Sequence, residues 1–391
     1  MEMAICQPGR KLNHAAWSDC LRLLARAIGG FAGSVSRARS ACLVLCGLCL
    51  WHPPWTSARP ALGESLEVNR DTLMRRARVV EVYDPLATHS FDPDPDRVQG
   101  MVDTGLKALC GKRSVMEVWR SLLSTQDIVG IKVVSSPGAI SGTRPAVVAA
   151  LVQGLLEAGI PAGNLVIWDR RLSSLRQAGW VALAKRYGIR AAGSEDEGYD
   201  DKTFYDTPLI GQLVWGDHEF GRKGDGVGRK SFVSKLVTQQ ITKIINVTPL
   251  FNHDTAGVTG NLYSLASGSV DNMLRFEGSA HRLATAIPEI YALPALGDRV
   301  VLNIVDALIC QYQGEQREML HYSSVLNQIR FSTDPVALDV LSIHELDHQR
   351  QQARITSEKT DLELYRNASL LELGVSDVQQ ILVEKVSLAK P

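Results

Sequence analysis

The chain has 391 residues, of which 45% are hydrophobic and 21% charged, with 42 acidic side chains against 42 basic ones. That is a globular composition. A formal charge of zero supplies no basic field for polyanions, so DNA and RNA are excluded as principal partners.

The first 60 residues stand apart. Six basic residues (Arg10, Lys11, Arg22, Arg26, Arg37, Arg39) and only two acidic ones (Glu2, Asp19) precede the almost wholly apolar run Ala41 to Trp51. The run is too short to cross a bilayer, which takes about 20 residues. Thr56-Ser57-Ala58 supplies small residues for a signal peptidase, so residues 1–61 are predicted to be a leader cleaved near Ala58. No stable membrane span would then remain after cleavage. A start site placed too far upstream is the alternative, and it leaves the chain cytoplasmic. Five of the seven cysteines lie in this leader, so the body holds only Cys110 and Cys310 and no disulfide framework. The Cys46-Gly47-Leu48-Cys49 spacing falls inside the apolar run, a poor setting for redox or zinc chemistry.

Past the leader, Phe91 to Asp96 alternates carboxylates with prolines. Arg97 and Asp103 occupy the positions where a calcium loop needs glycine and glutamate, so a solvated loop is expected. Residues 97 to 124 have helical periodicity, with Val102, Leu106, Val118 and Leu122 as core positions.

Ile128 to Val134 reads as a buried parallel strand, Ser135 to Gly142 as a loop, and Thr143 and Pro145 as the start of a helix that Gly159 ends. Leu165 to Trp168 is the returning strand of a βαβ unit. The loop carries backbone N–H groups into a helix N-terminus, where an anion is favoured. Ser135, Gly138, Gly142, Thr143 and Arg144 are therefore candidate ligand-binding residues, with a plain connector as the alternative. Lys132 either snorkels to the surface or faces this site.

Residues 190 to 231 loosen into acidic and then glycine-rich basic sequence, where Gly221 to Lys230 reads as a mobile solvated loop running into a strand at Phe232 to Val237, with a phosphate cradle as the alternative. Lys243 to Leu262 is the most informative stretch. Its apolar strand ends in Asn252, His253 and Asp254, at the carboxyl end where open α/β sheets bind ligands. Val300 to Val305 is a further buried strand ending in Asp306. Ser332-Thr333-Asp334-Pro335 is a helix start, with Asp334 either capping it or contributing to a site. His253, Asp306 and Asp334 are the candidate catalytic residues, able to bind a cation or act as acid and base if their element ends share one rim. Asn252 joins the ligand-binding set, and Asn261 and Asn272 are further polar candidates.

His344-Glu345-Leu346-Asp347-His348 satisfies the H-E-x-x-H zinc-peptidase pattern. Helical spacing puts both histidines on the side of Val340 and Leu341, which favours a partly buried structural helix.

The combination of VGIKV, TRPAVVAALVQGLLEAGI, KIINVTPLFNHDTAGVTGNLYSL, VVLNIVDAL and FSTDPVALD resembles the domain of unknown function 362 family, over roughly residues 80 to 390. The resemblance implies an α/β protein. Some members are fused to ferredoxin-type cysteine clusters, whereas two body cysteines cannot ligate a four-cysteine cluster. Any redox role would then need a partner protein or an organic cofactor, and the residues name no cofactor. Where some relatives carry lysine near the histidine, this chain has Asn252.

The expectation is an exported α/β protein with a parallel or mixed sheet, helices on both faces and βαβ units, forming a single domain over residues 62–391. It would bind a small anionic molecule or a metal at strand carboxyl ends, and act either as an enzyme or as a noncatalytic accessory to a redox partner.

Overall fold

The computed structural model describes residues 76–389, except 223–225, 315–316 and 357–359. The leader lies outside these residues.

Strand β1 (Ala77–Tyr83) is followed by a two-rung hairpin of β2 (Thr88–His89) and β3 (Asp92–Pro93). Asp94 then caps helix α1 (Pro95–Cys110), accepting hydrogen bonds from the N–H groups of Asp96 and Arg97, and Gly111 closes the helix at φ 61°. Both termini thus follow ordinary capping chemistry. Of the carboxylates in the 91–96 segment, Asp94 serves this turn, and Asp92 and Asp96 are exposed. Helix α2 (Val115–Leu122) completes the predicted helical stretch after a break at residues 111–114.

The βαβ unit is as expected. Strand β4 (Val129–Lys132), helix α3 (Pro145–Glu157) and strand β5 (Leu165–Asp169) follow one another, with β4 and β5 parallel. Helices α4 (Leu172–Gln177) and α5 (Trp180–Tyr187) lead to β6 (Arg190–Gly193), and α6 (Ser194–Glu197) leads to a separate antiparallel ribbon of β7 (Tyr199–Gln212) and β8 (Val227–Ser234). The ribbon places Val227 to Lys230, expected in a solvated loop, in strand β8, and residues 223–225 of that stretch lie outside the described residues.

Strand β9 (Lys243–His253) turns back through β10 (Gly257–Val258) into α7 (Asn261–Ser269). Helices α8 (Leu274–Glu277) and α9 (Ala280–Tyr291) precede β11 (Val300–Gln311) and β12 (Ser323–Ser332). Helix α10 (Pro335–Gln352), α11 (Glu363–Leu370) and β13 (Ile381–Ser387) finish the chain.

Among the described residues the main sheet runs β13-β1-β12-β11-β9-β4-β5-β6, with β10 paired to β9. Strands β11, β9, β4, β5 and β6 are parallel to their neighbours in that order, while β12 is antiparallel to both β1 and β11. Each face carries its own apolar core. Ile131, Ile167, Ile245 and Ile304 point toward α1, α2 and α3, whereas Trp168, Ile244 and Val305 point toward α7, α9 and α10. This is why the central strands read as continuous apolar runs. From β4 the chain proceeds outward through β5 and β6, then returns to the other side of β4 as β9. The carboxyl ends of β4 and β9 therefore flank a topological switch point, the place where open α/β sheets form crevices.

Candidate functional site

At that switch point lies a cavity of about 350 Å³, walled by the ends of β4 and β5, the segment from Phe251 to Gly268, and Leu274 and Glu277 of α8. Lys132 closes β4 and Asp169 closes β5. The Lys132 side chain is 1% exposed, and its Nζ stands 2.9 Å from Asp169 Oδ1. The same ammonium donates to the Val133 carbonyl at 2.8 Å and to Ser264 Oγ at 3.0 Å, and lies 5.7 Å from the centre of the Trp168 ring. All three of its protons have acceptors. Gly268 makes this possible, because a Cβ there would stand 2.4 Å from Lys132 Cε.

Asp169 is equally committed. Its Oδ2 accepts from the Ser135 N–H at 2.8 Å and from Ser135 Oγ at 2.6 Å. Burial opposes its ionisation, but the Lys132 ammonium and the Ser135 donors prevail and hold its carboxyl below the usual range. The Lys132–Asp169 pair therefore orients two serine hydroxyls, Ser264 and Ser135, at the cavity wall.

Arg170 supplies charge nearby. It lines the cavity, forms no ion pair among the described residues, and its Nε is buried without a hydrogen-bond partner. Its field acts on two carboxyls that burial raises, Glu277 and Asp271, the latter pushed up to about 7. Glu277 also accepts from the Tyr263 hydroxyl at 2.9 Å. Arg171, on the rim, pairs with Glu195 at 2.9 Å.

His253 sits behind this wall. It is 4% exposed, its ring packs on Tyr263 with centroids 4.2 Å apart, and Tyr263 rather than His253 lines the cavity. Its Nδ1 accepts from the N–H groups of Thr255 at 3.3 Å and Ala256 at 3.1 Å. Burial pushes the imidazole down to about 4, so it is neutral at physiological pH. Asn252, 1% exposed, pairs through its backbone with Val258 and donates to Asp254 at 3.4 Å.

The loop after β4 divides its residues. Ser135 faces the cavity, while Thr143 bridges strands by donating to the Val247 carbonyl at 2.9 Å and accepting from the Val134 N–H at 3.0 Å. Gly142 donates to the Gly138 carbonyl at 3.0 Å, and Glu318 accepts from the neighbouring Ile140 N–H at 3.1 Å. Asp306, fully buried, occupies the start of α3 as an internal anion. Its Oδ2 accepts from the Arg144 N–H at 2.8 Å and lies 3.3 Å from Arg144 Nη1. The anion expected at this helix start is thus the protein's own carboxylate.

Asp334 lies elsewhere. Strand β12 runs antiparallel to β11 with Ser332 opposite Asn303, which puts Asp334 at the amino ends of the parallel strands, away from His253 and Lys132. There it caps α10 through Ala337 N–H at 2.9 Å and tethers Val375 N–H at 3.0 Å. A common rim for His253, Asp306 and Asp334 is therefore not formed. Asn261 belongs to a buried network under α7, where Asp339 accepts from the N–H groups of Asn261 at 2.6 Å and Leu262 at 2.9 Å. Burial raises the Asp339 carboxyl to about 7. Asn272 is buried and donates to the Lys230 carbonyl at 2.9 Å.

The H-E-x-x-H histidines are exposed, opposite to the expectation, because α10 buries Val336, Val340, Ile343 and Leu346 on its other side. Glu345 is held by Arg330 at 3.4 Å and Gln349 at 2.9 Å. Among the described residues no three His, Cys, Asp or Glu side chains are grouped to hold a metal ion. Nor is any helix there long and apolar enough to cross a membrane.

Sequence reasoning missed Asp169, Arg170, Tyr263 and Ser264. The signal for Asp169 was present, since it directly follows the strand Leu165 to Trp168 at its carboxyl end.

The fold and cavity define an α/β protein with a polar crevice at strand carboxyl ends. The family profile described as "Domain of unknown function (DUF362)" matches residues 129–344, more than half of the chain, and the chain belongs to that family. No curated protein matches it. Among solved structures, a crystal structure of a Thermotoga maritima protein from a structural genomics consortium aligns at a TM-score of 0.37 and 9% identity, over 67% of this chain and 60% of that one. The chain thus spans less than two thirds of that protein's length.

Proposed function

We propose that the crevice binds a small anionic molecule, with Arg170 as counter-charge and the hydroxyl of Ser264, which accepts from Lys132 and keeps its own proton, as hydrogen-bond donor, while Ser135 gives its proton to Asp169 and shapes the wall. The observation that carries this reading is the buried Lys132–Asp169 pair at the cavity wall. Buried ion pairs are commonly no more stabilising than apolar residues of the same volume, so stability alone gives little reason for one here. Fixing two hydroxyls toward a cavity does. In this reading Lys132 and Asp169 are positioning residues, and His253 supports Tyr263. Cavities of this size with a few convergent polar groups suit compact metabolites.

Titration calorimetry with two- to six-carbon mono- and dicarboxylates and with small phosphate monoesters tests the proposal. At least one should bind the wild-type chain saturably, and Arg170→Ala should weaken it about tenfold or more, the equivalent of about 1.4 kcal/mol. Failure of every anion in the panel would reject the reading.

We further propose that the chain is exported, on the basic and then apolar composition of its leader. Amino-terminal sequencing of the protein from its own host should find a start near residue 59, and an intact leader would contradict this.

A further inference from the structure

Three serines outside the Lys132–Asp169 network line the same crevice. Ser136 comes from the loop after β4, Ser174 from α4 and Ser267 from α7. Ser267 follows Ser264 by three residues, so the two lie on one face of α7. The hydroxyls of Ser136, Ser174 and Ser267 make no hydrogen bond among the described residues. Ser136 is exposed and the other two are partly exposed, so a ligand can reach all three. Each offers one proton and two lone pairs.

The wall therefore accepts hydrogen bonds as well as donating them. Glu277 adds to the accepting side, since Tyr263 occupies its Oε1 and leaves Oε2 toward the crevice it lines. A bare carboxylate or phosphate has only acceptors and leaves these lone pairs unmatched. An ammonium would donate, but no fixed negative charge awaits it: Asp169 is neutralised by Lys132, and burial pushes the Glu277 carboxyl up. A ligand hydroxyl donates and accepts at once without adding charge. Val214, Phe251 and Leu274 line the rest of the wall and suit the C–H groups between such hydroxyls. Arg170 is partly exposed, with only its Nε enclosed, so its charge is available to one acidic group.

We infer that the ligand is a polyhydroxylated anion of about six carbons, the chemistry shared by sugar acids and sugar phosphates, a size that a cavity of about 350 Å³ admits. Its acidic group meets Arg170, and its hydroxyls exchange hydrogen bonds with Ser136, Ser174, Ser267 and Glu277. The inference rests on the anion reading above and adds the class of anion to it.

Calorimetric titration of the full chain with two matched pairs tests this: D-gluconate against hexanoate, and glucose 6-phosphate against hexyl phosphate. In at least one pair the hydroxylated member should bind about tenfold or more tighter, as a few neutral hydrogen bonds provide, and the pair that does so identifies the acidic group. The double variant Ser174→Ala with Ser267→Ala should weaken that member by about tenfold or more. 2-Aminohexanoate, which carries an ammonium in place of the hydroxyls, should bind more weakly than it. Equal affinities within both pairs, an unchanged affinity in the folded double variant, tighter binding of 2-aminohexanoate, or binding of neither hydroxylated anion would each overturn the inference. Binding of hexanoate or hexyl phosphate that Arg170→Ala weakens, with no preference for hydroxyls, would remove this inference and leave the anion reading standing. Thermal melts establish that the double variant folds, and if it does not, the matched pairs decide.

Discussion

Lys132 Nζ and Asp169 Oδ1, at the ends of adjacent parallel strands, stand 2.9 Å apart beneath helix α7. Each charge is buried only because the other is present. Lys132→Met should therefore cost about 3 to 5 kcal/mol in urea unfolding, since it leaves a carboxylate buried without its partner. The double variant Lys132→Met with Asp169→Leu should recover most of that loss. Equal losses in the single and double variants would show that the two side chains are not energetically coupled.

Gly268 gives Lys132 its path. Adding a methyl group there places a Cβ against Lys132 Cε, and the ammonium must give up Ser264 or Asp169 to make room. Gly268→Ala should cost about 1 to 3 kcal/mol of stability, as overpacking usually does. A denaturation midpoint equal to wild type would mean that the lysine retreats freely.

Two buried groups make stability depend on pH in opposite directions. Burial holds His253 at about 4, below its unfolded value, so between about 4 and 6.5 the unfolded chain binds the proton and the folded chain does not. Its contribution is present above that window and is lost as pH falls through it. Asp339 has its carboxyl raised to about 7 by burial, so between about 3.8 and 7 the folded chain holds the proton and stability falls as pH rises. Asp271, also raised to about 7 by burial, adds a slope of the same sign as Asp339's, so His253 offsets only part of the decline in the wild type. His253→Phe should steepen the combined Asp339 and Asp271 slope, with unfolding free energy decreasing from pH 4 to 6.5. A profile for His253→Phe that still rises with pH over this range would refute the assignment.

How much of this was legible in the sequence follows from how local each signal is. The βαβ unit was plain because Val147, Val148, Leu151 and Leu155 repeat at helical spacing between two apolar runs, and all four are buried. Lys132 was ambiguous because its direction depends on Gly268, more than a hundred residues away in the chain. Asp334 read equally as a cap or a site residue, and only the antiparallel sense of β12 separates it from the carboxyl ends. The β7–β8 ribbon was illegible. Most of β7 is partly or fully exposed and its pairing shifts register twice, so no clean alternation of apolar and polar residues marks it.

The H-E-x-x-H motif shows pattern without context. His348 stands 3.5 Å from Glu345 and shares a hydrogen bond with Gln352 at 2.9 Å, on the exposed side of α10. Changing both His344 and His348 to Ala should shift stability by no more than about 0.5 kcal/mol. The zinc content of the purified protein should not change either. Stoichiometric zinc that disappears in the double variant would restore the peptidase reading.

The most direct measurement is native mass spectrometry of the protein purified from its own host, comparing wild type with Arg170→Ala. The wild type should carry a small anionic adduct that the variant lacks while remaining folded. A folded wild-type protein with no adduct that also binds no anion on titration, or an adduct retained unchanged in the variant, would contradict a crevice built around Lys132, Asp169 and Arg170.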